Sequence, residues 1–545
     1  MRRSDGLVLL ALATVTAVVA VGPAAATGLA GRESVDAYGS WWFQWFVGTS
    51  LADGSPLSST NLLFFPWGKD ILTHTGANLV DALITVPVRW TLGDRAAWNA
   101  LYLVAIVSNA LAVGLWLLAY GPSRLGAFAA TVLAGLHPYP LYELAEGRPA
   151  QALLAPMVVA CLAADRAFRG GHAALPWLAG VSLALAGWVY WYGGLFAAIT
   201  IAVLAAFSPS RETARRLLTV GAVATLLSLP ATLPLAQSLR AGEVPGLLPV
   251  DAWWRGDFAL ANAEGDVVRI ATLSWDGQAT FQGDHLGGGR GLVAGLGVVA
   301  LCLAAPRRWA AAGLVAVAIS LGPFIAEWRN PVYLSLASAF PPAQRLYWPV
   351  RAVAVLVPVA AVGAACAARR PWLLAMLAVA TGVEPFLRGA LPLPAWSLPD
   401  RTPWLCLGGA PGALIDLPYG RDQLPLVHQT FHGLPMLNGM HERSRFLVPA
   451  GQRELRSQNT YLAALLAAPV NPAANPTWSE ADREALGALG YRWVALRLEA
   501  LAEVGGPIHR ARAARQRLDT LAGPASFEVS GVVVWAPWGG TTPCG

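Results

Sequence analysis

The chain has 545 residues, 55% hydrophobic and only 13% charged, with a mean hydropathy of +0.49. Soluble domains carry about 25% charged residues, so this composition excludes a soluble globular protein and a disordered one and leaves a polytopic membrane protein. The formal charge of +6 does not indicate a nucleic-acid partner: Lys69 is the only lysine among 38 basic residues, and many of the arginines fall in short loops between apolar stretches.

A helix crosses a bilayer in about 20 mainly apolar residues. Such stretches lie near 7–28, 98–120, 125–142, 150–165, 174–190, 193–207, 216–236, 291–304, 309–325, 348–368 and 371–391, about eleven in all. Arg2/Arg3, Arg124, Arg166/Arg169, Arg211/Arg215/Arg216, Arg307/Arg308 and Arg369/Arg370 occupy one alternating set of short loops. The positive-inside rule puts that set, and the N-terminus, in the cytoplasm. The other loops (29–97, 143–149, 190–193, 237–290 and 326–347) and the tail from 392 then face outward. Gly193-Gly194, following Trp188 and Tyr190 to Tyr192, predicts an interfacial turn. The first stretch also reads as a signal peptide ending at Ala24-Ala25-Ala26, but its length favours an uncleaved span.

Hydrophobic continuity is lost after 391. Runs at Ala413–Ile415, Tyr491–Leu496 and Val529–Trp535 predict strands, and 450–468 and 479–489 predict helices, the latter opened by Ser479. The expected architecture is an α-helical polytopic membrane domain, residues 1–391, followed by a small α/β or α+β extracytoplasmic domain, residues 392–545. Cys161, Cys302 and Cys366 fall in spans as small apolar residues. Cys406 and Cys544 flank the outer domain, where a disulfide is permitted. No Cys/His spacing suggests zinc.

Acidic side chains are nearly absent from the spans, which argues against a proton relay. They gather in the outward loops. The first loop opens Glu33-Ser34-Val35-Asp36 and continues through Trp41, Trp42 and Trp45 to Leu63-Phe64-Phe65-Pro66-Trp67-Gly68-Lys69-Asp70 and His74. It is amphipathic enough to lie on the membrane as short helices and roof a cavity. Asp36 can accept a proton from a hydroxyl, or simply cap a helix. His74 can bind phosphate or stand as a surface histidine. Glu143 and Glu146 share a helical face in a Pro-rich turn, beside Arg148. Arg148 can hold a phosphate bidentately or pair locally with those acids. Arg345 and Arg351 are basic residues on the outward side, where the charge rule least expects them, and are candidate phosphate ligands. The 237–290 loop carries Trp253, Trp254, Asp284 and His285 without a ranked role. In the tail, His428, Gln429, His432, Asn438, His441, Glu442 and Arg443 form a polar set that reads either as an acceptor-glycan site or as ordinary domain surface.

Several of these features together resemble the bacterial polytopic glycosyltransferases of the GT-C type with an outer C-terminal domain. They are Asp36 in the first outer loop, the Leu63–Gly68 element with His74 after it, Gly322-Pro323, Arg345 and Arg351. The tail adds Ile415-Asp416-Leu417-Pro418, Gln429-Thr430-Phe431-His432-Gly433-Leu434-Pro435 and Asn438-Gly439. The resemblance implies a polyprenyl-phosphate sugar donor, an envelope glycan, lipid or protein acceptor, and inverting transfer at the outer face of the cytoplasmic membrane. It makes Asp36 the candidate base and Glu143 or Glu146 a second acid. His74, Arg148, Arg345 and Arg351 become substrate ligands. The paired first-loop acids common in that family are absent, since Glu33 and Asp36 are separated by two residues, and a divalent metal requirement stays open. No phosphate-binding Gly-Lys-Ser/Thr motif or dinucleotide fingerprint is present, which argues against an ATP-driven pump. A lipid-linked glycan transporter and a non-catalytic envelope-assembly scaffold are the alternatives.

Overall fold

The computed structural model describes all residues except 1–2, 75–78, 122, 241–300, 323, 326–327, 341–342, 344–345, 347–348, 368–390, 421–422, 441–447, 475, 503–507 and 541–545. The chain forms two compact units. One contains residues 1–32 and 76–396, the other residues 33–75 and 397–545. All but the last residue of the predicted span at 371–391, most of that at 291–304 and the 241–290 part of the outward loop lie outside the described residues.

The first unit is helical. Among the described residues, four helices are long and apolar enough to cross a membrane: Ser4–Thr27, Asp94–Tyr120, Pro149–Phe168 and Arg211–Gln237. Leu175–Val189, Trp191–Ala206 and Arg351–Ala367 are shorter apolar helices. Leu218, Leu226 and Leu233 stay exposed on the Arg211–Arg240 helix, a face that suits lipid rather than water. Leu29-Ala30 and Ala395-Trp396 pair antiparallel, tying the end of the first helix to the end of the unit.

Several predicted spans are interrupted. The stretch 125–142 is two helices, Arg124–Gly135 and Pro138–Ala145. Pro138 has no N–H, and a residue before proline is pushed out of the helical region. His137 instead takes an extended backbone and its Nδ1 accepts from the Tyr139 N–H at 3.2 Å. The Pro149–Phe168 span is likewise broken at Leu153-Leu154, into the segments Pro149–Ala152 and Ala155–Phe168. The buried Asn109 bridges their junction: its Nδ2 donates to the Ala152 carbonyl at 2.7 Å, and its Oδ1 accepts from the Leu154 N–H at 2.8 Å. The 348–368 stretch starts as a 3-10 segment, Pro349–Val355, before the α-helix Leu356–Ala367.

The turn predicted at Gly193-Gly194 falls earlier, at Tyr190, whose backbone is extended. The glycines lie inside the Trp191–Ala206 helix. A Cβ on Gly194 would stand 2.8 Å from the Gly187 Cα. The pair therefore lets this helix approach Leu175–Val189 closely, a packing use of small residues rather than a turn.

The second unit is built on a four-stranded mixed sheet in the order 413–417, 491–497, 532–535, 527–529. Ala413–Leu417 runs parallel to Tyr491–Arg497, and the remaining neighbours are antiparallel. A parallel pair requires a crossover, and helices including Leu424–His432, Thr460–Ala467 and Glu480–Ala488 lie between those strands in sequence. Ser479 caps the last of these, its side chain accepting from the Asp482 N–H. Ile415, Tyr461, Leu465, Val494, Leu518 and Trp535 belong to the core.

Residues 33–75 belong to this unit rather than to the helices on either side of them in sequence. They supply a 19-residue helix, Val35–Asp53, and a short hairpin pairing Ser59-Thr60 with Lys69-Asp70. Ser34 is the helix cap, accepting from the Ala37 N–H at 3.1 Å, and Gly54 ends the helix in the left-handed region.

Candidate functional site

In the helical unit, charged side chains converge where the spans are interrupted. Glu143, on the short helix Pro138–Ala145, is 0% exposed. The Arg351 Nε donates to its Oε1 at 3.2 Å, and the Arg148 Nη1 approaches its Oε2 at 3.4 Å. Arg351 also donates to the Tyr190 hydroxyl at 2.7 Å. Arg148 lies over the Tyr142 ring and Arg351 over the Tyr190 ring, 5.9 and 5.7 Å from the centroids. A narrow pocket beside this cluster is lined by Tyr139, Gln151, Met157, Tyr190, Gly193 and Phe196. The Gln151 Oε1 has no hydrogen-bond partner among the described residues.

The sequence grouped Glu143 with Glu146. The structure gives them different partners. Glu143 joins Arg148 and Arg351, whereas Glu146, also buried, is 3.6 Å from Arg32. Arg148 thus makes the local ion pair that was one of its two readings. Tyr190 and Gln151 escaped the sequence reading. An aromatic cluster at a span end looks interfacial, and only the interrupted backbone shows that the phenol turns inward.

Asp36 lies in the other unit, in the first turn of Val35–Asp53 and half-buried. The cap is Ser34, so the capping alternative for Asp36 is not what the structure shows. His74 ends the short helix Ile71–His74; its side chain, like Arg345, lies outside the described residues. No group of three His, Cys, Asp or Glu side chains among the described residues suits a metal ion. Lys69 is 4% exposed, with its Nζ 5.0 Å from the Phe64 ring centroid and no hydrogen-bond partner among the described residues. Burial pulls its ammonium down to about 7.

The tail's polar residues are internal. His428, Gln429, His432 and Asn438 are all buried, which removes them as an acceptor-binding surface; His441, Glu442 and Arg443 lie outside the described residues. Asp416, on the first strand, accepts from the Arg497 Nε at 2.9 Å and faces the His428 Nδ1 at 3.2 Å. Burial by itself would raise the Asp416 pKa, but Arg497 and His428 outweigh it and hold the carboxyl below its usual value. Burial pulls His432 down to about 3, against the opposing pull of Asp416. Trp404 stacks on His428 at 4.1 Å. Cys406 is disulfide-bonded; Cys544 lies outside the described residues.

No family model matches the chain, and no curated protein does. Solved structures do. The mycobacterial arabinofuranosyltransferase AftD matches over 98% of this chain and 40% of its own length, at 14% identity and a TM-score of 0.56. The oligosaccharyltransferase of Archaeoglobus fulgidus matches over 91% of this chain and 70% of its own, at 14% identity and a TM-score of 0.50. The same enzyme with zinc and sulfate matches over 92% and 70%, at 12% identity and 0.51. The chain has a GT-C-like fold. It spans two fifths of the arabinofuranosyltransferase's length, and at these identities the likeness is one of fold.

The Glu143 cluster is buried among interrupted apolar helices. Ionised groups in a membrane-embedded bundle are costly and mark substrate or ion sites, and irregular backbone at that depth is tolerated beside a cavity. Two guanidiniums held by one carboxylate and one phenol form a rigid basic site that presents planar donors. Such a site suits an anion with several oxygens.

Proposed function

We propose that the protein is an inverting glycosyltransferase that moves a sugar from a polyprenyl-phosphate donor to an envelope acceptor at the outer face of the membrane. The observation that carries this reading is the buried Arg148–Glu143–Arg351–Tyr190 cluster, built on interrupted helices within a GT-C-like fold. The structural neighbours' names describe transfer of glycosyl groups, which supports the same reaction class.

In the proposed reaction, an acceptor hydroxyl oxygen bonds to the anomeric carbon of the sugar. The bond from that carbon to the phosphate oxygen breaks, and polyprenyl phosphate leaves with the electron pair. Asp36 takes the hydroxyl proton as general base. Arg148 and Arg351 neutralise the departing phosphate, where fixed donors in a dry site act strongly. Glu143 holds the two guanidiniums apart and oriented; it is a positioning residue rather than the second acid. Glu146 retains the second-acid assignment only as the resemblance implies it. A single displacement inverts the anomeric centre. The N-terminus lies in the cytoplasm and the tail outside, following the arginine distribution. The test is complementation of a deletion strain at matched membrane levels. Wild type restores the missing envelope sugar, and Asp36→Asn and Arg351→Gln do not. Equal restoration by all three removes the proposal.

A further inference from the structure

The buried polar residues of the tail form a chain of contacts that ends on the helix carrying Asp36. It begins on the sheet. Arg497 and His428 hold the two Asp416 carboxylate oxygens. Asn438 brackets the Asp416 backbone: its Oδ1 accepts from the Asp416 N–H and its Nδ2 donates to the Asp416 carbonyl, both at 3.0 Å. His428 thereby fixes Leu424–His432 against the strand Ala413–Leu417.

The next residue, Gln429, is 0% exposed and uses both ends of its amide. Its Oε1 accepts from the Trp42 Nε1 at 2.6 Å, and its Nε2 donates to the carbonyls of Leu62 at 2.7 Å and Leu434 at 2.8 Å. One amide therefore joins three segments: the tryptophan-rich helix, the strip before Leu63–Gly68, and the tail's own turn. The arrangement needs an acceptor and two donors on one planar group, which Glu, Met and Leu cannot supply. Trp41 adds a parallel tie, its Nε1 donating to the Thr430 Oγ1 at 3.3 Å. Trp42 is fully buried and stacks on Phe46 at 4.9 Å. Asp36 is on the same helix, about 9 Å along the axis from Trp42.

We infer that Gln429 is a positioning residue for Asp36, and that the tail's sheet is the mount on which the Asp36 helix is fixed. This rests on the reading of Asp36 as general base. It gives the Gln429–Asn438 motif a task other than recognising a glycan. Rigid support matters because a displacement of about 1 Å at a reacting group can cost about 100-fold in rate.

The test uses the full-length protein in detergent, with Trp42→Phe, Gln429→Glu and Asp36→Asn variants. Trp42→Phe removes the indole donor while leaving both Gln429 amide donations in place. Hydrogen exchange is followed by mass spectrometry, and the pH–rate profile is taken with a synthetic polyprenyl-phosphate sugar. Trp42→Phe and Gln429→Glu should exchange about tenfold faster over residues 37–46, the loss of roughly one hydrogen bond, with 491–497 unchanged. Turnover should fall about 10- to 100-fold, and the limb of the profile that Asp36 governs should flatten. Unchanged exchange over 37–46 in both variants overturns the mount. A wild-type profile merely scaled down overturns the positioning role, because it reports only a smaller folded fraction. Full turnover in Asp36→Asn refutes the base assignment separately, since the exchange data do not depend on it.

Discussion

Replacing Lys69 by Met isolates the energetics of one buried amine. Lys69 is 4% exposed, faces the Phe64 ring and has no hydrogen-bond partner among the described residues. Burial lowers its pKa from 10.5 to about 7. Between those values the unfolded chain holds a proton that the folded chain lacks, so stability rises with pH across that interval. At and below about pH 7 the full penalty is present. At about 1.4 kcal/mol per pKa unit, it amounts to roughly 5 kcal/mol. Lys69→Met removes it, so the variant should be more stable than wild type by about 4–5 kcal/mol at pH 7. The gap should close as pH approaches 10.5. Pulse proteolysis of the full-length protein in detergent between pH 6.5 and 10.5 reads this difference. Because Lys69 is the only lysine, competitive amine labelling gives its pKa directly. A gap that is absent, or constant across that pH range, refutes the reasoning.

Glu143→Gln leaves two buried guanidiniums without their carboxylate and should destabilise the helical unit by about 3–5 kcal/mol with loss of transfer, read by thermal unfolding and product formation. Adding Arg351→Met should recover part of the stability but none of the activity. Asp416 is held below 3.8 in the fold, so its contribution is complete above about pH 3.8 and is lost as pH falls through the lower folded value. Asp416→Asn should therefore cost about 3–5 kcal/mol at pH 7 by stranding Arg497, and should flatten the acid limb of unfolding measured by tryptophan fluorescence. Gly194→Leu should force the two short apolar helices apart, since even a Cβ there lies 2.8 Å from Gly187. Overpacking of this kind costs about 1–3 kcal/mol and should lower the melting temperature without altering the tail's exchange pattern.

The local patterns were the legible part. Apolar runs located helices such as Asp94–Tyr120, and Ser479 before two acids marked a helix start that the structure reproduces. The tail's apolar runs from 413 and 491 are strands. The run Val529–Trp535 is instead the end of one strand, a turn at Ser530-Gly531 and a second strand, Val532–Trp535, and the helix expected over 450–468 breaks at Asn459. Interruptions were not legible from hydropathy, because a window average stays high across Leu136-His137 and Leu153-Leu154. Pro138 and Pro156 were the available signals. Pairings far apart in sequence had no local signature. Glu143 meets Arg351 across 208 residues, and Trp42 meets Gln429 across 387. That second pairing is why a buried polar set looked like a binding surface: the partners of His428, Asn438 and the Gln429 side-chain carbonyl oxygen lie on other segments.

The central claim is transfer from a lipid-phosphate sugar, and it is tested most directly with purified full-length protein in nanodiscs. A panel of radiolabelled synthetic polyprenyl-phosphate sugars is supplied with an envelope acceptor fraction, and labelled acceptor and released polyprenyl phosphate are measured together. The account predicts stoichiometric release and transfer from at least one donor, with the opposite anomeric configuration in the product, and abolition by Arg351→Gln and by Asp36→Asn. Transfer from a nucleotide sugar instead, or undiminished transfer in both variants, would contradict it.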